Sequence, residues 1–213
     1  MKLLFNTTIS VFWLTAFITI FPSCNNEMSG PTTIIGTVKD VTTNTPVTNA
    51  QVGLFETDGE SAFGLGGTLL EEKYSDGSGK FTFNFNARDN YEYYVQAIKE
   101  QYFNNQTDNV TFVFEQNNES VEVFLQPEAY LKLHCKNASP FNDDDDLTIS
   151  TTLNGSYPEF LGTEVDTNIC CFIIYGNINN SIGYWVSKND TSIHYYLDVY
   201  SVAFDTVDYE ILY

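Results

Sequence analysis

Positive charge is what this chain has least of. Its 213 residues hold 9 Lys and Arg against 28 Asp and Glu, a formal charge of −19. A surface of that sign repels nucleic acid, which is excluded as a partner, and disfavours anionic headgroups. Histidine is scarcer still. His134 and His194 are the only two, and no His-x-x-Glu pair exists, so a paired-histidine peptidase zinc site is absent. Helical periodicity is missing between residues 33 and 103, where short stretches of period two alternate with turn clusters. Charged residues make up only 17%, too few for a disordered polyelectrolyte. What the chain has in quantity is aromatic surface, 17 Phe and 14 Tyr, which packs well on a pleated sheet.

The chain starts with Met1-Lys2 and a mostly apolar run from Leu3 to Phe21, closed by Pro22-Ser23-Cys24 and the polar Asn25-Asn26-Glu27. That is the form of a secretory signal peptide over residues 1–23. Removing it leaves 28 acids and 8 bases, a charge of −20. Phe21-Pro22-Ser23-Cys24 resembles the lipobox of bacterial lipoproteins, in the relaxed form associated with Bacteroidetes. The resemblance implies that Cys24 is acylated and becomes the N-terminus. Each buried methylene adds about 0.8 kcal/mol, so several acyl chains hold a protein on a bilayer. The competing readings are a retained membrane anchor and a secretory signal followed by an unmodified Cys. Residues 24–31 then read as a tether, with Ser29, Gly30 and Pro31.

Residues 32–127 read as one β-sandwich. Ile34–Lys39 opens it, with Gly36 where a close backbone approach is expected. Asn44-Thr45-Pro46 and Asp76-Gly77-Ser78-Gly79 are turns. Phe81, Phe83 and Phe85 alternate with polar residues, and Tyr91, Tyr93, Val95 and Ala97 form the next inward set. Val110, Phe112 and Phe114, then Val121, Val123 and Leu125, supply two more. The order of Gly36, Val38, Asp40, then Thr43, Pro46, Ala50, Val52, then Asp76, Gly79, Phe81, then Tyr93, Val95, Ala97 resembles the carboxypeptidase regulatory-like family. That resemblance covers residues 33–103 and implies a seven-stranded, transthyretin-like sandwich without catalytic residues. The Thr57–Gly67 loop, with four glycines around Phe63 and Leu65, is either a contact loop or a loose hairpin folded back on the sandwich.

Residues 128–213 read as a second β-sandwich. Leu131, Leu133 and Cys135 alternate with Lys132, His134 and Lys136, which places His134 on a solvent face. Asn142 and the four acids after it concentrate charge. Asp143, Asp144 and Asp146 are candidate ligands for a hard cation such as calcium, but the run is continuous and has no glycine, which favours a solvated hairpin. Residues 168–176 are apolar on both faces and read as a central strand. An exported setting permits a disulfide, and the candidates are Cys135 with Cys170 or with Cys171. His194, Tyr196, Asp198 and Tyr200 share one face of a long strand, with Tyr184 and Trp185 as candidate neighbours. Aromatic rings stack on sugars or apolar ligands and an acid orients hydroxyls, so this is the candidate binding face. The competing reading is that it packs against the first domain or beneath a sheet.

The sequence thus predicts an all-β chain of two antiparallel sandwiches in tandem, lipid-anchored to the outer membrane. Its expected role is binding or scaffolding of a protein or glycan partner, without catalysis and without a cofactor. The alternatives are a glycan-acting hydrolase using paired carboxylates and an accessory subunit of an outer-membrane assembly.

Overall fold

In a computed structural model that describes residues 28–58, 66–104, 109–114, 117–150 and 158–213, every helix or strand among the described residues is a strand. Cys24 and the signal segment lie outside the described residues, as does the centre of the Thr57–Gly67 loop with Phe63 and Leu65.

A first sandwich is built from β1 (Gly30–Asp40), β2 (Gln51–Thr57), β3 (Thr68–Tyr74), β4 (Lys80–Ala87), β5 (Glu92–Ile98), β6 (Val110–Val113) and β7 (Asn117–Leu125). A second is built from β8 (Glu128–Lys136), β9 (Asp146–Ser150), β10 (Glu159–Leu161), β11 (Asp166–Tyr175), β12 (Asn179–Lys188), β13 (Thr191–Tyr200) and β14 (Thr206–Leu212). The sheets run β4-β1-β7 and β3-β2-β5-β6 in the first, and β11-β8-β14 and β10-β9-β12-β13 in the second. Numbered from its own first strand, each sandwich has the orders 4-1-7 and 3-2-5-6. The two halves therefore repeat one topology. Neither is purely antiparallel, because the first and last strands of each half, β1 with β7 and β8 with β14, pair in parallel.

Period-two alternation explains the cores. Ile34, Val38, Phe83, Tyr93, Val95, Val123 and Leu125 point into the first sandwich and Leu131, Leu133, Leu147, Ile149 and Ile174 into the second, in two separate buried clusters. Burying each such side chain contributes about 1.5–3 kcal/mol. Gly36 lies opposite Phe81 in the β1–β4 ladder, and a Cβ there would stand 2.3 Å from the Phe81 ring and 2.7 Å from the Val121 carbonyl oxygen. The close approach expected at this glycine is present, and the β1–β7 register shifts beside it, between Ile34 and Gly36.

Two expected strands differ in detail. β6 turns Val113 inward and leaves Phe114 beyond its end, 68% exposed, with Phe112 on the outer face against Tyr94. Among the described residues β11 is an edge strand, paired only with β8. Its two apolar faces have another cause. The ladder shifts at Cys170-Cys171, so that Ile169 opposite Leu133 and Phe172 opposite Leu131 both face the core. One extra residue in a strand inverts the side-chain parity that follows it.

Only Gln126 and Pro127 join β7 to β8, and the halves touch around them. The Phe103 and Tyr175 rings lie 4.6 Å apart and the Tyr102 and Phe204 rings 5.3 Å apart. The Asn177 side-chain amide donates to the Thr42 hydroxyl at 3.0 Å.

Candidate functional site

The four residues predicted as a binding face, His194, Tyr196, Asp198 and Tyr200, do lie on one face of β13. The antiparallel register sets them opposite Trp185, Gly183, Ser181 and Asn179 of β12. Thr148 and Ser150 of β9 continue the same face beyond Trp185 and Gly183. The opposite side of β12 carries Ile182, Tyr184 and Val186 into the core. Of the two neighbours foreseen, therefore, Trp185 belongs to the face and Tyr184 does not.

The geometry of this face is specific. The Trp185 indole and the His194 imidazole stack at 4.1 Å with planes 4° apart, and the Tyr196 ring is 4.4 Å from His194 at 52°. Gly183 makes the stack possible, since a Cβ at that position would stand 2.8 Å from His194 Nε2. Tyr196 is 68% and Tyr200 52% exposed. Among the described residues, neither a second sheet nor the first sandwich covers them; the contact between the halves runs through Thr42, Tyr102, Phe103, Tyr175, Asn177 and Phe204 instead. The face is open, aromatic along one line, and bordered by hydroxyls and the Asp198 carboxylate.

The other face of β13 is only partly covered. Val199 is buried, Leu197 is half-buried, and Ile193 and Tyr195 are exposed. A four-stranded sheet facing a three-stranded one leaves its outer strand overhanging. A cavity of about 370 Å³ opens under that overhang, lined by Tyr184, Ile193, Tyr195, Lys188 and Tyr213.

The acid run does not converge on an ion position. Asp145 turns inward and is fully buried, while Asp143 and Asp144 face solvent. Asp146 begins β9, where its Oδ2 accepts from the Thr148 hydroxyl at 3.1 Å. Adjacent carboxylates on a turn leading into a strand diverge by construction. Among the described residues no three His, Cys, Asp or Glu side chains are grouped as a metal ion requires.

The predicted Cys135 bridge is likewise not formed. Cys135 is free and buried, and Cys170 and Cys171 are joined to each other. The register gives the reason. Cys135 pairs with Thr167, three to four residues along β11 from the cysteine pair, about 10 Å at strand rise. That exceeds the reach of a disulfide. Burial pushes the Cys135 thiol up to about 11.

His134 is on the outer face, as expected, but is not an isolated surface histidine. Its Nε2 is 2.7 Å from Asp166 and its Nδ1 2.9 Å from Glu210, on the strands either side. The Asp166 hydrogen bond, then that of Glu210, raises its pKa above the ordinary imidazole value.

One cluster had no counterpart in the sequence reading. Asn137 after β8, Asp145 before β9, Lys188 at the end of β12 and Tyr213 after β14 meet at one end of the second sandwich. Asn137 Nδ2 donates to Asp145 Oδ2 at 2.8 Å, and Lys188 Nζ donates to Asn137 Oδ1 at 2.7 Å. Burial pushes the Asp145 pKa up, but the hydrogen bonds from Asn137, Phe141 and Asn142 and the nearby Lys188 outweigh it, and the carboxyl lies below its usual value. Asn137 and Asp145 flank one connection, whereas Lys188 and Tyr213 are far along the chain, and only the packing of the sheets brings all four together.

No known protein-family signature matches the chain. No curated protein sequence matches it either. Solved structures of similar shape exist at low identity. The chain is 13% identical to the Bacillus anthracis TIE protein over 86% of its own length and 34% of that chain, with a TM-score of 0.37. It is 9% identical to a streptococcal ancillary pilin over 84% of its length and 62% of that chain, with a TM-score of 0.41. A DUF3823 family protein from Parabacteroides merdae is 12% identical, with 80% of this chain and 99% of that one covered and a TM-score of 0.35. The chain thus spans about a third of the first and less than two thirds of the second. Likeness at this level assigns no function.

Proposed function

We propose that this is a non-catalytic binding protein of the cell envelope, acylated on Cys24, held to the outer membrane, and presenting the outer face of β9, β12 and β13 to a neutral glycan. The observation that carries the reading is the Trp185–His194–Tyr196 line, uncovered on a rigid ladder. Aromatic faces stack on the C–H surfaces of sugar rings, and fixed strands hold them at little entropic cost. Ser150, Ser181, Thr148 and Asp198 border the rings with groups that exchange hydrogen bonds with sugar hydroxyls. The charge of −20 after residue 23 favours a neutral glycan over an anionic one. A glycosidase would pair two carboxylates across the bond it cuts; Asp198 stands on β13, and the other acids of the face, Asp146 of β9 and Glu159 of β10, stand beyond Trp185, so turnover is what separates the two readings.

The test is incubation of the purified protein with arrayed neutral glycans, together with an assay for new reducing ends. Retention on the array without new reducing ends is expected; release of reducing ends would make it a hydrolase. The anchor is tested separately, by Cys24→Ala, which is expected to move the protein from the membrane fraction to the soluble one.

A further inference from the structure

The amine of Lys188, the carboxamide of Asn137 and the carboxylate of Asp145 form a closed contact set. Lys188 Nζ lies 2.7 Å from Asn137 Oδ1, 2.7 Å from the Ser139 carbonyl oxygen and 3.8 Å from Asp145 Oδ2. Asn137 Nδ2 donates to Asp145 Oδ2 at 2.8 Å and to the Gly162 carbonyl at 3.1 Å. The backbone N–H groups of Phe141 and Asn142 fix the carboxylate, at 2.8 Å and 3.2 Å. Asp145 is fully buried, Asn137 nearly so, and the Lys188 side chain is 20% exposed with its amine over the Tyr213 ring at 4.9 Å.

An amine does not attack a carboxamide in water at any useful rate. Here three factors change that. The two groups are held together for the life of the molecule, and fixed geometry supplies effective molarities of about 10⁵ M and above. The hydrogen bond to Oδ1, made by the ammonium form, seats Nζ beside the carbonyl carbon that it attacks once deprotonated. The nitrogen that must leave already donates to the carboxylate that can protonate it. A single turnover per chain is all the chemistry requires.

We propose that Lys188 and Asn137 become joined in an amide bond formed by the protein itself, with Asp145 carrying the protons. Asp145 takes a proton from the Lys188 ammonium. The neutral Nζ adds to Asn137 Cγ, and Asp145 returns that proton to Nδ2. The Nζ–Cγ bond forms, the Cγ–Nδ2 bond breaks, ammonia departs, and the surplus proton on Nζ leaves through Asp145 to solvent. No oxidant, metal or activated group enters the balance.

The location gives the bond a purpose. Asn137 follows β8 in one sheet and Lys188 ends β12 in the other, so the link would staple the two sheets of the sandwich and close a ring over residues 137–188. The first sandwich carries Lys99 just after β5, the counterpart of β12, but that amine contacts the Thr48 backbone carbonyl.

Peptide mapping tests this directly. Lys188 is the only Lys or Arg from Asn137 to Tyr213, so complete trypsin digestion of the denatured, reduced full chain cuts after Lys136 and after Lys188. A Lys188 locked in an amide is not cut. The expected product is therefore one peptide spanning residues 137–213, lighter than its sequence by one ammonia. Separate peptides 137–188 and 189–213 at full mass would overturn the proposal. So would loss of ammonia with normal cleavage at Lys188, which would mark a succinimide, for instance at Asn154-Gly155. Lys188→Arg is expected to restore both the cleavage and the mass. Asp145→Asn is expected to leave most chains unlinked, and full linkage in that variant would refute the part assigned to Asp145.

Discussion

Trp185 and His194 face each other across the β12–β13 ladder with their rings 4.1 Å apart and parallel to within 4°. Gly183, the neighbour of both, leaves the room. Gly183→Ala is therefore expected to push His194 off the indole, at a cost of about 1–3 kcal/mol in stability. Trp13 and Trp185 are the only two Trp residues, so a chain from residue 24 on reports this stack through a single fluorophore. A shift in its emission, with an unchanged strand signal in circular dichroism, is the expected result. Identical emission would mean that the stack does not depend on the glycine.

Glu56 and Tyr93 make the corresponding prediction in the first sandwich. The buried Glu56 carboxylate accepts from Arg88 Nε at 2.9 Å and from the Tyr93 hydroxyl at 2.8 Å. The Arg88 hydrogen bond, aided by Tyr93 and opposed by burial, holds its pKa below the usual 4.5. A depressed pKa contributes stability above the unfolded value, and that contribution fades as pH falls through the folded one. Glu56→Gln is expected to cost about 1–3 kcal/mol at neutral pH and to flatten the acid limb of a Tm-against-pH curve. Arg88 is 58% exposed, so its own replacement is expected to cost less.

His134 carries the opposite sign. Its pKa is raised by Asp166 and Glu210, so its contribution is complete below the unfolded value of 6.5 and is lost as pH rises through the folded one. His134→Gln is expected to lower Tm at pH 5.5 and to leave it nearly unchanged at pH 9. An equal drop at both would show a packing effect instead.

Cys135 is buried in the β8 core with its thiol raised to about 11. Thiolate is the reactive form, so native protein is expected to leave Cys135 unlabelled by iodoacetamide at pH 8, with full labelling on unfolding. Fast native labelling would place Cys135 elsewhere.

Much of this fold is legible in the chain. Phe81, Phe83, Tyr93, Val95, Leu131 and Leu133 fall on the core faces that period-two alternation assigns them. The face shared by His194, Tyr196, Asp198 and Tyr200 follows from the same rule. What alternation does not carry is pairing. β9 is central and buries Leu147 and Ile149, yet it is five residues long and begins within the acid run, whose charge reads as loop. Residues 168–176 read as a central strand because the bulge at Cys170-Cys171 leaves no mark in the alternation. Asn137, Asp145 and Lys188 meet only through the packing of two sheets, and no local pattern marks them. The repeated topology of the two halves is hidden in the same way, since alternation fixes which way a side chain points and not which strand lies beside it.

The most direct measurement is migration through native gels containing a neutral polysaccharide, namely hydroxyethylcellulose, galactomannan or soluble starch. The account predicts that at least one gel retards the protein, and that Trp185→Ala and Tyr196→Ala each abolish the retardation while keeping the strand signal and Tm. Free migration of the unaltered protein in all three gels, or retardation that survives both substitutions, would contradict it.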